Sequence, residues 1–266
     1  MIYFTLRGGL GNMLFQIAAV TSIALSKKTK ASFSSLDEHL DYLNSENHFN
    51  PHLNHSRDYK DLNMFKNMLT ENPKANLKVY RYPFHYLNID IPEDDVILDG
   101  FFQSEKYFIK HEKEIRELFK PTQQIINTIN HKYSHLLSGD TTSLHVRRGD
   151  YVNNSHNHPP CSVEYYRQAL DTLGGDKVLV FSDDIKWCKD VFVGDEFIYI
   201  DNEKDYIELY MMSLCKNNVI SNSSFSWWGA WLNGNINKQV VSPKKWFGPY
   251  INHNTDDIIP KDWIII

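Results

Sequence analysis

The sequence has few cysteines, no long hydrophobic run and no excess of basic residues. Its three cysteines, Cys161, Cys188 and Cys215, are too few and too widely spaced for a disulfide framework or a zinc site. The longest early apolar stretch, over residues 17–25, is far shorter than the about 20 residues that cross a membrane. A net charge of −5 argues against a general nucleic-acid binder. We therefore expect a cytoplasmic protein without a signal peptide, at most in peripheral contact with the inner face of a membrane.

Several catalytic and metal-binding motifs are also absent. The sequence contains no Walker-type phosphate loop and no nucleophilic-serine elbow. His131 and His135 have the i,i+4 spacing of zinc ligands, but the glutamate that follows the first histidine of that motif is missing. The other histidines are scattered, so we expect neither a bound metal nor a cofactor.

The most distinctive segment that is present is His145-Val-Arg-Arg-Gly-Asp-Tyr151, in which two arginines follow an apolar run. Guanidinium groups match phosphate oxygens bidentately, and each such hydrogen bond contributes about 1.5 to 3 kcal/mol. This predicts an anion clamp made by Arg147 and Arg148 at the end of a strand. The alternative is a surface ion pair between an arginine and Asp150.

The order of the elements predicts an α/β fold. Strands and helices alternate in the second half, which is typical of a parallel sheet covered on both faces. The first half begins with a strand, a glycine-rich turn and a helix, so we predict an N-terminal α/β domain over residues 1–138 and a C-terminal Rossmann-like domain over 139–266. The predicted strands are 2–6, 96–102, 142–146, 177–181, 197–200, 218–221 and 239–242, and the clearest helices are 13–26, 106–119, 162–173 (with Ser162 as N-cap) and 205–215.

The glycine-rich turn Gly8-Gly-Leu-Gly-Asn12 stands at the start of a helix. Such a turn lets the backbone approach an anion closely, and the helix dipole adds to the attraction. Its spacing differs from the dinucleotide-binding fingerprint, so it indicates anion binding without naming the ligand.

Three polar clusters follow predicted strands, and ligands of parallel sheets bind at these carboxyl ends. They begin at His145, Ser182 and Ser221. The second, Ser182-Asp183-Asp184, suggests Mg²⁺ held beside phosphates. The two arginines make such a metal redundant, and Asp183 could instead cap the next helix.

The third cluster, Ser221-Asn-Ser-Ser-Phe-Ser-Trp-Trp-Gly229, places hydroxyl groups at a helix start, where they suit a diphosphate. The alternative is a plain serine N-cap, with Trp227 and Trp228 in the core. On the preceding helix, Glu208 could accept hydrogen bonds from a ribose or a guanine; its alternative is a solvated helix face.

Taken together, these motifs resemble the bacterial α-1,2-fucosyltransferases of glycosyltransferase family 11. The resemblance rests on the arginine segment, the third cluster and the opening Gly8-Gly-Leu-Gly-Asn-Met-Leu-Phe-Gln16, and it extends to Gly100-Phe-Phe-Gln-Ser-Glu-Lys-Tyr107 and Ser242-Pro-Lys-Lys-Trp246. Five motifs in the same order cover nearly the whole chain and make the resemblance specific.

The resemblance implies a glycosyltransferase B fold, in which two Rossmann-like domains face each other across a cleft. It also implies metal-independent transfer with inversion, with GDP-fucose held mainly by the C-terminal domain. Arg148, with Arg147, would stabilise the departing β-phosphate. His145 and Asp150 would shape the site, and Asp150 would be either the general base or the carboxylate that orients Arg147. The remaining donor-site residues would be Gly11, Asn12, Asp183, Glu208, Ser223, Ser224 and Phe225.

The resulting hypothesis is an α-1,2-fucosyltransferase that acts on a terminal β-galactoside of a glycan or surface polysaccharide repeat. One alternative is a transferase that makes another linkage or uses another GDP-sugar. The other is a protein without catalytic activity that binds a sugar nucleotide or a glycan. We expect no nucleic-acid partner, and acceptor contacts from residues 33–76 and from loops such as 153–160.

Overall fold

A computed structural model describes residues 1–44, 59, 62–66 and 68–266 of the chain. The described residues form two compact units. Unit 1 contains those between residues 1 and 122 together with His253–Pro260, and unit 2 contains Gln123–Asn252 and Lys261–Ile266. Much of the segment 33–76, from which we expect acceptor contacts, lies outside the described residues. The boundary at residues 138 and 139 stays a prediction.

Unit 1 is an α/β unit built on a parallel sheet. Among its described residues the strand order is β2-β1-β4-β3, and each neighbouring pair is parallel. Two 3₁₀ turns, Glu105–Tyr107 and Ile109–His111, precede its last helix. Its elements are β1 (Ile2–Phe4), α1 (Leu10–Ser26), β2 (Ala31–Ser32), α2 (Leu36–Asn44), α3 (Asn63–Lys66), β3 (Lys78–Arg81), β4 (Val96–Asp99) and α4 (Glu112–Leu118).

Helix α1 differs from its prediction at its start. It begins at Leu10, three residues before the predicted Met13, because Leu10 is buried and joins the apolar face that packs on the sheet. Gly11 and Asn12 therefore belong to the first turn of the helix, and the turn itself is reduced to Gly8 and Gly9. The predicted helix over 106–119 was wrong in its first half, which forms the 3₁₀ turns.

Unit 2 is also an α/β unit, with a larger parallel sheet. The strand order among its described residues is β10-β9-β8-β5-β6-β7, and every neighbouring pair is parallel. Its elements are α5 (Gln123–Leu137), β5 (Thr141–Val146), α6 (Gly149–Asn153), α7 (Val163–Leu173), β6 (Lys177–Ser182), α8 (Ile185–Val191), β7 (Phe197–Tyr199), α9 (Asp205–Leu214), β8 (Asn217–Val219), α10 (Ser224–Leu232), β9 (Val240–Ser242) and β10 (Ile264–Ile265).

The strand order of unit 2 confirms the predicted parallel α/β architecture. From the central strand β5, the chain continues to β6 and β7 on one side and then crosses to β8, β9 and β10 on the other. The order thus reverses between β5 and β8, and open α/β sheets bind their ligands in the crevice at such a reversal. All six residues of β5 are buried, as expected for a central strand, so the crevice lies at the middle of the sheet.

Two local predictions for unit 2, a helix cap and a pair of core tryptophans, agree with the structure. Ser162 caps α7 as predicted, since its hydroxyl accepts a hydrogen bond from the backbone N–H of Tyr165 at 3.2 Å. Trp227 and Trp228 are fully buried, so the interpretation of both as core residues is confirmed. Within the described ranges, no helix is both long and apolar enough to span a membrane.

Candidate functional site

The three polar clusters of the sequence come together at one edge of the sheet in unit 2. They follow β5, β6 and β8, which are neighbours in the sheet. Nδ1 of His145 lies 2.9 Å from Oγ of Ser221, which links the first cluster to the third. The backbone N–H of Arg148 donates to Oδ1 of Asp183 at 2.8 Å, which links the first to the second. The predicted convergence at the strand ends is confirmed.

Arg147 is held between two carboxylates. Its Nη2 donates to Oδ1 of Asp150 at 2.7 Å, and its Nη1 lies 3.1 Å from Oδ2 of the buried Asp183. The second contact is electrostatic, because Asp183 Oδ2 has no aligned hydrogen bond to any described residue. Burial lowers the pKa of Arg147, but Asp183 and Asp150 outweigh it and raise this pKa above its ordinary value. Arg147 therefore remains a positive charge with a fixed direction.

Arg148 is fixed by a tryptophan and a third carboxylate. Its guanidinium carbon lies 3.9 Å from the centroid of the Trp187 ring, and its Nε is 3.1 Å from Oδ2 of Asp184. The stacking holds the planar group by one face and leaves its edge for hydrogen bonds. About a fifth of the side chain remains exposed, so an anion can reach it from the crevice.

The two aspartates after β6, Asp183 and Asp184, have different roles, and the helix cap is not the one that the sequence suggested. Asp184, and not Asp183, is the N-cap of α8, since its carboxylate accepts from the backbone N–H of Trp187 at 3.2 Å. Asp183 is turned instead toward Arg147 and the Arg148 backbone. The interpretation of Asp183 as a helix cap was therefore wrong, because its carboxylate is needed inside the arginine cluster.

His145 is buried and electrically neutral. Burial, together with the charge of Arg147, lowers its pKa to about 3. Its ring lies 5.5 Å from the ring of Phe225 at the start of α10. A neutral imidazole held by Ser221 and Phe225 can shape the crevice, but it is a poor proton acceptor at neutral pH.

The depressed pKa of His145 predicts an acid-dependent loss of stability. Unfolding exposes a histidine that binds a proton below pH 6.5, while the folded state does not bind it until about pH 3. Stability is thus fully present above pH 6.5, and it should fall by about 2 kcal/mol on acidification to about pH 5. Urea unfolding of the wild type and of His145→Gln measures this: the variant should lose that part of the pH dependence. Ser221→Ala, which keeps the imidazole, should retain it; equal slopes for wild type and His145→Gln would refute the assignment.

Asp150 lies on α6, a short helix that the sequence patterns did not reveal. Helix α6 begins immediately after Arg148 and places the carboxylate of Asp150 beside Arg147. The Asp150 side chain is more than half exposed. The ion pair of Arg147 with Asp150 is therefore present at the end of β5, and the anion clamp stays a prediction.

The third cluster surrounds the start of α10. Ser223 occupies the N-cap position, but its hydroxyl accepts no capping hydrogen bond from the described backbone of the helix. Ser224 begins the helix, and both residues stand at the reversal point between β5 and β8. Two serines thus stand at the N-terminus of α10, a position where the helix dipole favours an anion.

Asn222 organises this edge of the sheet, a role that sequence reasoning missed. Its Nδ2 donates to the carbonyl oxygens of Pro159 and Trp246, each at 3.0 Å. Its own carbonyl accepts from the hydroxyl of Tyr151 at 3.3 Å. The asparagine therefore ties three loops together, and no local sequence signal distinguishes it from the many other asparagines of this chain. Trp187 was missed in the same way, and Asp184 was considered only as a magnesium ligand.

Glu208 points inward from α9. It is only 6% exposed, so the alternative of a solvated helix face was wrong. Burial, and then the charges of Asp205 and Glu203, raise its pKa well above the ordinary value. This shift favours the protonated carboxyl, the form that can donate a hydrogen bond as well as accept one.

In unit 1, the glycine-rich turn leads into α1 as its sequence indicates. Gly8 has a φ of 77°, and a Cβ there would lie 2.5 Å from Nδ2 of Asn12. Asn12 in turn accepts a hydrogen bond from Nε2 of Gln103 at 2.6 Å. Gly9 precedes the first helical residue, so the free N–H groups of α1 begin next to this turn.

Replacing Gly8 by alanine should disturb both stability and this turn. The left-handed backbone costs a residue with a Cβ about 1 to 2 kcal/mol, and the close approach forces Asn12 to move. We expect Gly8→Ala to lower the free energy of unfolding by about that amount in urea titrations. Gly234→Ala, at a position with open space around its Cβ, is the matched control. Equal stability of Gly8→Ala and wild type would contradict the packing described for this turn.

The part of the chain that the structure describes contains no group of three histidine, cysteine, aspartate or glutamate side chains placed to hold a metal ion. Asp183 and Asp184, the carboxylates that suggested magnesium, both contact the arginines.

Comparison with known proteins identifies the family. The model of glycosyl transferase family 11 matches residues 5–266. The chain belongs to glycosyltransferase family 11. It is 32% identical to the O-antigen biosynthesis glycosyltransferase WbnK of Escherichia coli, with 99% of each chain covered. It is 31% identical to an α-1,2-colitosyltransferase of E. coli, with 98% of this chain and 97% of the relative covered.

A solved structure shares the fold of this family 11 glycosyltransferase. The NodZ α-1,6-fucosyltransferase, in a crystal soaked with GDP-fucose, matches with a TM-score of 0.51. The match covers 87% of this chain and 92% of NodZ at 13% sequence identity. At this identity the match is informative about the fold alone.

Proposed function

We propose that this glycosyltransferase moves L-fucose from GDP-fucose to the 2-hydroxyl of a terminal β-galactoside, with inversion and without a metal ion. The acceptor would be a glycan or a surface polysaccharide repeat. The observation that carries the proposal is the pair of oriented guanidinium groups at the reversal point of a parallel sheet. Family membership supplies the reaction class, and the arginine pair supplies the chemistry of the leaving group.

The donor diphosphate fits the crevice of unit 2. Arg147 and Arg148 offer two positive charges, and the start of α10 offers N–H groups and the hydroxyls of Ser223 and Ser224. Phe225 and His145 form the apolar floor beside them. Asp183 acts through the arginines in this proposal, and the buried Glu208 is assigned to the guanosine.

The arginines also account for transfer without a metal. When the bond from fucose C1 to the β-phosphate oxygen breaks, negative charge develops on GDP. A guanidinium that is held in place before the reaction stabilises that charge, and the protein does not have to rearrange during the step. In metal-dependent enzymes a divalent cation stabilises such a charge. Arg148, stacked on Trp187 and partly exposed, is the group assigned to the departing phosphate.

Unit 1 is assigned the acceptor and one side of the donor. The proposal retains the glycosyltransferase B fold. Gly11 and Asn12 are assigned to the diphosphate because they lie in the first turn of α1, where the helix dipole favours an anion. Asn12 is further held by Gln103.

The direct test is incubation of the purified protein with GDP-fucose and lactose-type acceptors in the presence of a chelator. We expect release of GDP and a product whose fucose is α-linked to the 2-position of galactose. Linkage analysis distinguishes this outcome from transfer to another hydroxyl. Absence of transfer to every galactoside, with or without added magnesium, would refute the proposal.

A second candidate donor is GDP-colitose. It is favoured by one observation, the 31% identity to an α-1,2-colitosyltransferase over nearly the full length of both chains. The same assay with GDP-colitose as donor separates the two: a higher kcat/KM for GDP-colitose would replace fucose as the transferred sugar. Ligand binding without GDP release from either donor would favour a binding protein that lacks activity.

A further inference from the structure

An inverting transfer needs a group that accepts the proton of the attacking hydroxyl, and the two residues proposed first fit that role poorly. The carboxylate of Asp150 is already paired with Arg147 at 2.7 Å. His145 is buried, bonded to Ser221, and has a pKa of about 3. A general base must be able to accept the proton of the attacking hydroxyl. Another side chain at this edge of the sheet, a half-buried imidazole, takes part in none of the ion pairs of the arginines.

That side chain is His158, in the loop that follows α6. Its ring stacks on the ring of Tyr151 at 5.0 Å and 23°, and it meets the edge of Phe247 at 5.5 Å. The Arg147 guanidinium carbon lies 5.3 Å from the Tyr151 ring centroid. His158 and Arg147 therefore both lie against the ring of Tyr151.

The backbone around His158 is fixed on both sides. Its own N–H donates to the carbonyl of Asn154 at 2.8 Å, and the carbonyl of Pro159 accepts from Asn222. The carbonyl of Asn157 accepts from the N–H of Gly248 at 2.8 Å. A Cβ on Gly248 would clash with the carbonyl of His156, so this close approach of two loops depends on glycine. The imidazole is thus positioned before any substrate arrives.

The imidazole has unused hydrogen-bonding capacity. Nδ1 is buried and has no hydrogen-bond partner among the described residues. Since Nδ1 is enclosed, Nε2 is the nitrogen of this half-buried ring that is left to meet a substrate. Burial lowers the pKa of His158, Asp150 raises it and Arg147 lowers it, so the ring is neutral at neutral pH. Tyr151 and Phe247, the rings that pack against it, are uncharged at that pH.

We propose that His158 is the general base of the transfer reaction. The inference rests on the proposed function. The acceptor hydroxyl oxygen forms a bond to fucose C1 while the bond from C1 to the β-phosphate oxygen breaks, and the electron pair of the broken bond leaves with GDP. The hydroxyl proton passes to Nε2 of His158, and the nearby carboxylate of Asp150 stabilises the imidazolium until the proton returns to solvent.

The test is the pH dependence of transfer by His158→Gln and by His158→Phe, which keeps an aromatic ring on Tyr151. Wild-type kcat should rise with pH as His158 loses its proton and then level off. Both variants should lose that rise and retain about 1% or less of the wild-type kcat. Their Kd for GDP should stay within about two-fold of the wild type, because the arginines hold the nucleotide. His131→Gln, on the exposed face of α5, should behave as wild type.

Three results would overturn the assignment. The first is a kcat for both variants within about three-fold of wild type. The second is an unchanged pH profile, and the third is a parallel loss of GDP affinity, which would mark His158 as a structural support of the donor site. A wild-type protein that binds GDP but transfers no sugar to any acceptor would refute the proposed function, and the assignment of His158 with it.

Discussion

Replacing Arg148 by alanine should abolish transfer while the protein still folds. The guanidinium stacks on Trp187, about a fifth of its side chain is exposed, and it is assigned to the charge that develops on the β-phosphate. Removing one such oriented cation from a phosphate-leaving reaction lowers kcat by about 10³-fold or more. Initial rates of GDP release measure this effect, and the melting temperature shows that the fold persists.

Two control variants test whether the loss of rate comes from the missing guanidinium group. Arg148→Lys keeps the charge but loses the planar group that stacks on Trp187, so we expect it to recover only a small part of the rate. Arg167→Ala removes an exposed arginine of α7 in the same unit and should leave the rate unchanged. Near-normal turnover by Arg148→Ala would remove this residue from the mechanism.

Replacing Asp183 by asparagine should weaken both the fold and the reaction. The buried carboxylate faces Arg147, and asparagine preserves its size while it removes its charge. A buried guanidinium that loses its partner costs about 3 to 5 kcal/mol, and the remaining pair with Asp150 and the exposed quarter of Arg147 reduce this to about 2 to 3 kcal/mol. Transfer should fall about 10²-fold, because Arg147 is no longer aimed at the diphosphate.

Asp201→Asn is the matched control for that change. Asp201 pairs with Lys189 at 3.1 Å, but both side chains are nearly half exposed. An exposed pair contributes little, so this variant should lose less than about 0.5 kcal/mol. Urea titrations compare the two variants directly. If Asp183→Asn were as stable as Asp201→Asn, the ion pair with Arg147 would not be a structural element of the site. Rescue of Asp183→Asn by magnesium would instead restore the metal hypothesis.

Much of the architecture of this family 11 glycosyltransferase is predictable from local patterns. The alternation of apolar strands and amphipathic helices predicts the parallel sheet of unit 2, because a strand buried on both faces requires a helix on each side. The capping serine Ser162 marks the start of α7 within one residue. Helix α6 escaped prediction, because its five residues are too few to show a period.

The candidate site is predictable in position and less so in detail. Since the carboxyl ends of neighbouring parallel strands meet at one edge, the clusters after β5, β6 and β8 had to converge if the strand order placed them side by side. Sequence spacing could not assign Asp183 and Asp184 their separate roles, because adjacent aspartates look alike until one of them caps a helix. It also could not find His158, whose relevance depends on contacts with Tyr151 and Phe247.

The sequence by itself determined the residue types, their order and, through the combined motifs, the family of this protein. All three can be inferred from the spacing of apolar residues and from the side-chain chemistry of short motifs, and both are visible in neighbouring residues of the sequence. Only the tertiary structure decided which carboxylate faces which arginine, that His145 and Glu208 are buried, and that His158 and Arg147 lie against the same tyrosine ring. Each of these depends on burial and on distances between residues far apart in the chain, and the folded packing alone sets both.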